Sequence, residues 1–158
     1  MIQVHLREVT IENFQECIDL KVEQEQEGLV ASNMKSLAEA KVNPNLFPFA
    51  IYDATTIGYE KPLSSMVGFT MYEITAGVGF IQRLMIDQRY QHQGYGKAAM
   101  IEVIRRLKLY PEVQLIATSH RQENTYASKL YRRLGFVDWE IVWAKENPNE
   151  VFLRLDRG

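Results

Sequence analysis

The stretch QHQGYGKAAM, residues 91–100, sets two glycines two positions apart at the start of a helical pattern. The chemistry of such a place is anion binding. Free N–H groups at a helix N-terminus, together with the helix dipole, favour negative charge there. Gly94 and Gly96 remove side chains that would block close approach, and Lys97 adds a positive charge. Two familiar phosphate loops fit poorly. A Walker loop ends in Gly-Lys-Ser/Thr, whereas Gly96-Lys97 is followed by Ala98 and no glycine holds the required earlier place. A dinucleotide fingerprint tolerates Ala99 as its third small residue. It also needs an acidic residue closing a strand about 20 residues on, where EVQLIATS runs instead. Taken alone, the loop also fits an ordinary strand-to-helix turn.

A second constellation lies in ENTYASKLYRRLGF, residues 123–136. Asn124, Ala127 or Ser128, and Tyr131 fall along one helix face about 10 Å long. Leu130 and Leu134 point to another face and belong to the core. A small residue at 127 lets a ligand lie close, and Asn124 can hydrogen-bond an amide. By itself Tyr131 fits a half-buried tyrosine with a bonded hydroxyl. Arg132 and Arg133 sit at a helix C-terminus, where the dipole alone accounts for them.

Two further groups of residues can titrate. Glu23, Glu25 and Glu27 lie in KVEQEQEG at the end of the first helix, and Glu23 and Glu27 share a face if that helix continues. They fit either a solvated helix end or an acidic site for a polycation. His5, His92 and His120 have no metal-ligand spacing, so no metal is expected. His5 reads as strand surface, and His92 as a loop residue giving only its backbone. His120 follows the strand EVQLIATS, where a proton role is open to it. Cys17 stands at helical spacing with Phe14, Ile18 and Val22, which reads as a buried, inert thiol.

These side chains need a scaffold. Residues 2–8 alternate, with Ile2, Val4 and Leu6 on one face, and read as a strand rather than a signal peptide. A helix follows, with Thr10 and Asn13 together marking its start, to about residue 24, and Gly28 interrupts it. SNMKSLAEAKV is a second helix, capped by Ser32 or Asn33 and closed before Pro44. LFPFAIYD and SSMVGFTMYEI are strands joined by a loop around Gly58 and Pro62, and VGFIQRLMID is a third. The helix over 95–109 sets Met100, Ile101, Val103, Ile104 and Leu107 on one side, with a Glu102–Arg106 pair on the other. EVQLIATS is a buried strand, residues 123–136 supply a helix ended by Gly135, and FVDWEIVWA and EVFLRLD close the sheet. The class is a mixed α/β sheet with helices on its faces, in one domain over residues 1–158. Apolar content of 46% and charged content of 24% are those of a globular chain. No apolar run is long enough to span a bilayer. A net charge of −2 argues against nucleic acid as the main partner. A cytoplasmic protein is expected.

Together, QHQGYG and NTYASKLYRRLGF resemble the two signatures of the GCN5-related N-acetyltransferases. The first matches Q/R-x-x-G-x-G/A. The second matches at Asn124, Ala127, Leu130, Tyr131, Leu134, Gly135 and Phe136. LMIDQRYQ also looks like that family's lead-in strand. The resemblance implies a mostly antiparallel sheet of about seven strands with about four helices, and a splayed parallel pair at 80–87 and 113–118. It implies acetyl-coenzyme A as cofactor, its pyrophosphate on the loop of Gln91, His92, Gln93, Gly94, Tyr95, Gly96 and Lys97. The backbone of Leu84, Met85 and Ile86 would pair with the pantetheine arm, with Asn124, Ala127, Ser128 and Arg133 alongside. Tyr131 would be the general acid toward the leaving sulfur.

Acetyl transfer needs a neutral amine, and an alkyl amine near pKa 10.4 is only roughly 0.1% neutral at pH 7.4, a handicap of about 4 kcal/mol. Gln82 occupies a position where several relatives carry an acid, and an amide cannot be a base. Glu73 on the neighbouring strand is the expected substitute, with Asp87 a weaker one. KVEQEQ and MVGFTMY look like the bacterial spermine/spermidine N-acetyltransferases of the diamine type. That resemblance implies a polyamine acceptor, with Glu23, Glu25 and Glu27 holding distal ammonium groups and Tyr72 and Tyr52 lining an apolar stretch. A protein N-terminus or lysine, another small amine, or a non-catalytic sensor role are the alternatives. The closing strands would pair between subunits of a homodimer.

Overall fold

A computed structural model describes residues 2–55, 65–141 and 144–158. The strands are β1 (Val4–Glu8), β2 (Leu46–Asp53), β3 (Met66–Thr75), β4 (Val78–Ile86), β5 (Leu115–Arg121), β6 (Val137–Asp138) and β7 (Glu150–Asp156). They form one sheet in the order β1-β2-β3-β4-β5-β7-β6. Every pairing is antiparallel except β4 with β5. That parallel pairing covers only Val78–Ile81 against Leu115–Thr118. Beyond it β4 runs on to Ile86 and β5 to Arg121 without touching as a ladder, so a gap opens in mid-sheet. The expected splayed pair is therefore present. Thr118 Oγ1 donates to the Ile81 carbonyl at 2.9 Å and marks the point where the strands part. On the other side of β4 the register with β3 passes from Tyr72↔Ile81 to Met71↔Arg83, leaving Gln82 as the extra residue of a β-bulge.

Helices α1 (Phe14–Asp19) and α2 (Asn33–Val42) cover one face, and α3 (Tyr95–Leu107) and α4 (Thr125–Arg133) the other. Two apolar clusters result. Val103, Leu107, Leu130 and Phe136 pack with Ile81 and Ile116 under α3 and α4. Cys17, Leu20, Phe69 and Met85 pack under α1 and α2. Helix α3 carries the expected stripe, except that Ile101 is half exposed. Glu102 meets Arg106 at 3.5 Å and Arg105 at 2.6 Å. Ser32 caps α2 by accepting from the Lys35 amide at 3.1 Å, as its position predicts.

Three expectations need correction. The first helix stops at Asp19 instead of reaching residue 24. The Lys21 amide is drawn off to the Asp87 carboxylate at 2.9 Å, and the Lys21 carbonyl accepts from the Gln88 amide at 2.6 Å. The chain then continues extended into a single 3-10 turn, Gln24–Gln26. The strand expected over 112–119 lies at Leu115–Arg121, because Val113 closes a turn back to the Tyr110 carbonyl. His120 is thus inside the strand, paired with Val151. The strand expected over 136–144 shrinks to Val137–Asp138, after which turns at Ala144 and Asn147 bring the chain back to β7. Val142 and Trp143 of that stretch, and the loop around Gly58 and Pro62, lie outside the described residues.

Candidate active site

A cleft of about 920 Å³ occupies the gap between β4 and β5 and opens past both helical layers. One wall is the β4 edge, where Leu84, Met85 and Ile86 line the cleft with no strand on their β5 side. An extended ligand can add there as a strand. Below it lies the loop into α3. Gly94 holds φ +96°, a conformation that suits glycine, and α3 starts without a side-chain cap. Its first amides are therefore left for a ligand. Gly96 serves packing as well, since a Cβ there would sit 3.4 Å from the Tyr126 hydroxyl and 3.6 Å from Leu130 of α4. Gln91, His92, Gly94, Tyr95 and Gly96 line the cleft; Gln93 and Lys97 do not. Gln93 donates to the Arg89 carbonyl at 3.3 Å.

The loop is held from outside. Gln91 Nε2 donates to the Ile86 carbonyl at 2.9 Å and to Gln26 Oε1 at 2.7 Å. His92 Nε2 stands 3.3 Å from Glu23 Oε1, so its ring is engaged and not only its backbone. Asp87 anchors the loop's start. Its carboxylate accepts from Lys21 N, Arg89 N and Arg89 Nε at 2.8–3.0 Å. Burial works against its charge, but those hydrogen bonds outweigh it and hold the carboxyl below the usual range. A carboxylate so occupied, off the cleft wall, is a clamp and not a free base.

Helix α4 forms the opposite wall. Asn124 caps it, its Oδ1 accepting from the Ala127 amide at 3.2 Å, which leaves Nδ2 as a donor. Asn124, Ala127 and Tyr131 line the cleft together, as their spacing predicts. Ser128 turns to Arg132, whose Nε donates to it at 3.3 Å, and Arg133 is exposed. Arg132 is further explained by Asp138 at 2.7 Å. Tyr131 is buried beside Phe136 and His120, with ring centroids 5.9 and 6.1 Å away. Burial pushes its phenol up to about 12, with the Thr118 hydroxyl acting the other way.

The acceptor side departs most from expectation. Glu23, Glu25 and Glu27 lie outside the cleft lining, while Gln26 between them lies within it. No continuous helix gives the three acids a common face. Tyr72 is 1% exposed and packs with Phe47, Phe49 and Tyr110 under the α3 layer. Tyr52 belongs to the apolar cluster under α1 and α2. Neither lines the cleft, because strand alternation turns each into a core. Glu73 does line it, with Oε2 3.4 Å from Asn43 Nδ2. Sequence reasoning missed Lys35, Arg83, Tyr126 and Glu150, which also line it. Only the bulge could have exposed Arg83, and one sequence gives no sign of a bulge. Cys17 is fully buried, and burial, followed by Glu16, pushes its thiol up to about 12, an inert group as expected.

The family model for the Acetyltransferase (GNAT) family matches residues 14–136. The chain belongs to the GNAT acetyltransferases. The matched span runs from α1 to the end of α4 and so contains the glycine loop, the open β4 edge and Tyr131. The spermine/spermidine N(1)-acetyltransferase of Bacillus subtilis (strain 168) is 30% identical to this acetyltransferase over 141 residues, 84% of this chain and 87% of that protein. The probable spermine N(1)-acetyltransferase of Bacillus subtilis subsp. natto is equally similar. Among solved structures, a domain from Methanocaldococcus jannaschii superposes with a TM-score of 0.74 at 13% identity, covering 99% of each chain. The PaiA N-acetyltransferase of Thermoplasma acidophilum, solved with coenzyme A, has a TM-score of 0.67 at 14% identity, covering 98% of this chain and 99% of its own. These two show the shared fold. The chain is an acetyl-coenzyme A-dependent N-acetyltransferase. Among the described residues no helix is long and apolar enough to cross a membrane.

Proposed function

We propose that this acetyltransferase acetylates a primary amine of a small polyamine of the spermidine or spermine type. The observation that carries this reading is the 30% identity, over most of both chains, to the Bacillus subtilis spermine/spermidine enzyme. The cleft suits it through Glu73 and Glu150, two carboxylates on its lining that can hold ammonium groups. Glu23 and Glu25 at the cleft's outer margin would add attraction at longer range, and Glu27 with them.

Acetyl-coenzyme A supplies the acetyl group as a thioester. The free edge of Leu84–Ile86 receives its arm by main-chain pairing. The loop Gln91–Lys97 holds its pyrophosphate on the uncapped amides of α3, with Lys97 adding charge from outside. Asn124 Nδ2 donates to an amide of the arm, and Ala127 allows it to lie close. Arg133 and Ser128 keep a minor part, at the phosphate end. Tyr131 presents its O–H to the sulfur. A phenol near 12 is a weaker acid than a thiol near 8.5, so it acts mainly by hydrogen bonding to the charge that develops as the C–S bond breaks. Glu73, the carboxylate expected as base, would draw an ammonium at the acceptor side.

One domain over residues 1–158, a cytoplasmic location and a homodimer complete the reading. Strand β7 is paired with β5 along its whole length, so in a homodimer the closing strands would meet the partner at the outer edge formed by β6 and the start of β7. Light scattering would give the assembly state.

The experiment for function is release of free thiol from acetyl-coenzyme A with spermine, spermidine, putrescine and an N-terminal peptide as acceptors. Turnover with the polyamines and none with the peptide is the expected outcome. Turnover with the peptide alone overturns the polyamine assignment. Thermal protection by acetyl-coenzyme A without thiol release on any amine points to a sensor.

A further inference from the structure

Three cleft-lining side chains each hold a buried polar atom without a hydrogen-bond partner: Gln82 Oε1, Arg83 Nε and His120 Nε2. An unmet buried polar atom costs about 1–3 kcal/mol, so each calls for a partner such as a water, an ion or a ligand group. Their chemistry differs. Arg83 Nε is already a donor and cannot take a proton. The amide oxygen of Gln82 accepts a hydrogen bond but is too weak a base to keep a proton at neutral pH. Only the imidazole nitrogen can do both.

The tautomer of His120 follows from geometry. Its Nδ1 lies 2.7 Å from the Arg121 carbonyl oxygen. A carbonyl only accepts, so Nδ1 carries the hydrogen, and the neutral ring leaves Nε2 as a bare acceptor. The ring is 7% exposed, so it is held in place. Thr118 and His120 are two apart on β5 and share the face that looks toward α4. His120 therefore stands just beyond the point where β4 and β5 part, 6.1 Å ring to ring from Tyr131. Glu73, by contrast, lies on β3, one strand further from the gap, in register with Phe80.

We propose that His120 Nε2 takes the proton from the attacking amine, with Gln82 Oε1 accepting a second N–H to orient the nitrogen. This rests on the reading of the cleft as the place where an amine meets the thioester. His120 accepts one proton from the ammonium, and the neutral nitrogen forms the C–N bond. The C–S bond breaks with its electron pair going to sulfur. The nitrogen's surplus proton passes to sulfur, with Tyr131 bridging. The proton on His120 leaves to solvent, so one proton is released per acetyl group transferred. The titratable groups around His120 are Tyr131 from α4 and the facing residues Arg121 and Glu150 at the next register position of β5 and β7. Arg121 is paired with Glu123 at 3.1 Å.

His120→Asn keeps an N–H for the Arg121 carbonyl and removes the atom at Nε2, which makes it the informative variant. The rate would be followed against pH with spermidine, with an N-terminal peptide, and with a fluorinated ethylamine that is largely neutral at pH 7. His120→Asn is expected to lower kcat/KM about 100-fold for the strongly basic acceptor. The loss shrinks with the fluorinated amine, which arrives already neutral, while with spermidine the acid limb moves up toward the amine's own pKa. Affinity for coenzyme A, measured by calorimetry, stays the same. A variant with wild-type rates and pH profile overturns the assignment, as does that shift of the acid limb in Glu73→Gln but not in His120→Asn. Activity on the peptide alone, with the same dependence on His120, sinks the polyamine reading and keeps the base. Nitrogen-15 spectra of the ring in the coenzyme A complex decide the matter without turnover: a neutral ring protonated at Nε2 overturns it.

Discussion

Tyr131 is buried, with its ring against Phe136 and His120 and its hydroxyl beside Thr118. Burial disfavours the phenolate, so the hydroxyl keeps its proton throughout the working range. Tyr131→Phe preserves the ring contacts and removes only that O–H. It is expected to lower kcat by about 100-fold, the low end for general acid catalysis, while KM for acetyl-coenzyme A stays level. The wild type should show no alkaline fall in rate below about pH 10, where an ordinary tyrosine is already half ionised. A change in KM alone would remove Tyr131 from the chemistry. Its place on the wall was legible in the spacing of Asn124, Ala127 and Tyr131. His120 was visible as a residue near the cleft, but the strand holding it was read as ending too early. The turn at Tyr110–Val113 shifts that strand, and a backbone turn leaves little trace in side-chain alternation.

At the scale of elements, the segment from α1 to α2 and the loop into α3 form one unit. Asp87 ties the end of α1 to the loop's start, and Gln26 and Glu23 meet Gln91 and His92 further on. Asp87→Ala would orphan two backbone amides and the Arg89 side chain, at a cost of roughly 2–3 kcal/mol. Thermal unfolding should show it, together with weaker coenzyme A binding. Because the folded carboxyl titrates below its unfolded value, near 3.9, its stabilisation is complete above that value. It is lost as pH falls through the folded value, so the gap between wild type and variant should narrow in acid. Equal losses at neutral and acid pH would count against the clamp. This unit also explains why the acids were misplaced. An apolar stripe suggests a helix to residue 24, but hydrogen bonds from residues more than 60 positions away unwind it after Asp19.

Across the whole molecule, the sheet leaves one edge open in its middle, and packing of β3 on β4 keeps it so. Gly68 of β3 lies opposite Ile86 of β4. A methyl there would run into the Met85 carbonyl oxygen and press on Ile86 and Ile51. Gly68→Ala is therefore expected to cost roughly 1–3 kcal/mol through overpacking. At about 2–4 °C per kcal/mol for a chain of this size, Tm falls by several degrees. Coenzyme A affinity should fall with it, because Met85 belongs to the edge proposed to receive the arm. A variant with unchanged Tm and affinity would show that β4 can shift without consequence.

The sequence alone determined the element order, the start of the second helix, the glycine loop, the α4 face and the family, because each is written in local spacing or in a short motif. Strands β2, β3, β4 and β7 were likewise plain from alternation and turn residues. Tertiary structure alone decided where the first helix ends, which face Tyr72 and Glu73 take, and that Gln82 sits in a bulge. It also decided that Gln26 and His120 reach the cleft where Glu23, Glu25 and Glu27 do not. The physical reason is common to these cases. Each depends on a hydrogen bond, a register or a burial event between residues far apart in the chain, and local periodicity carries no record of those.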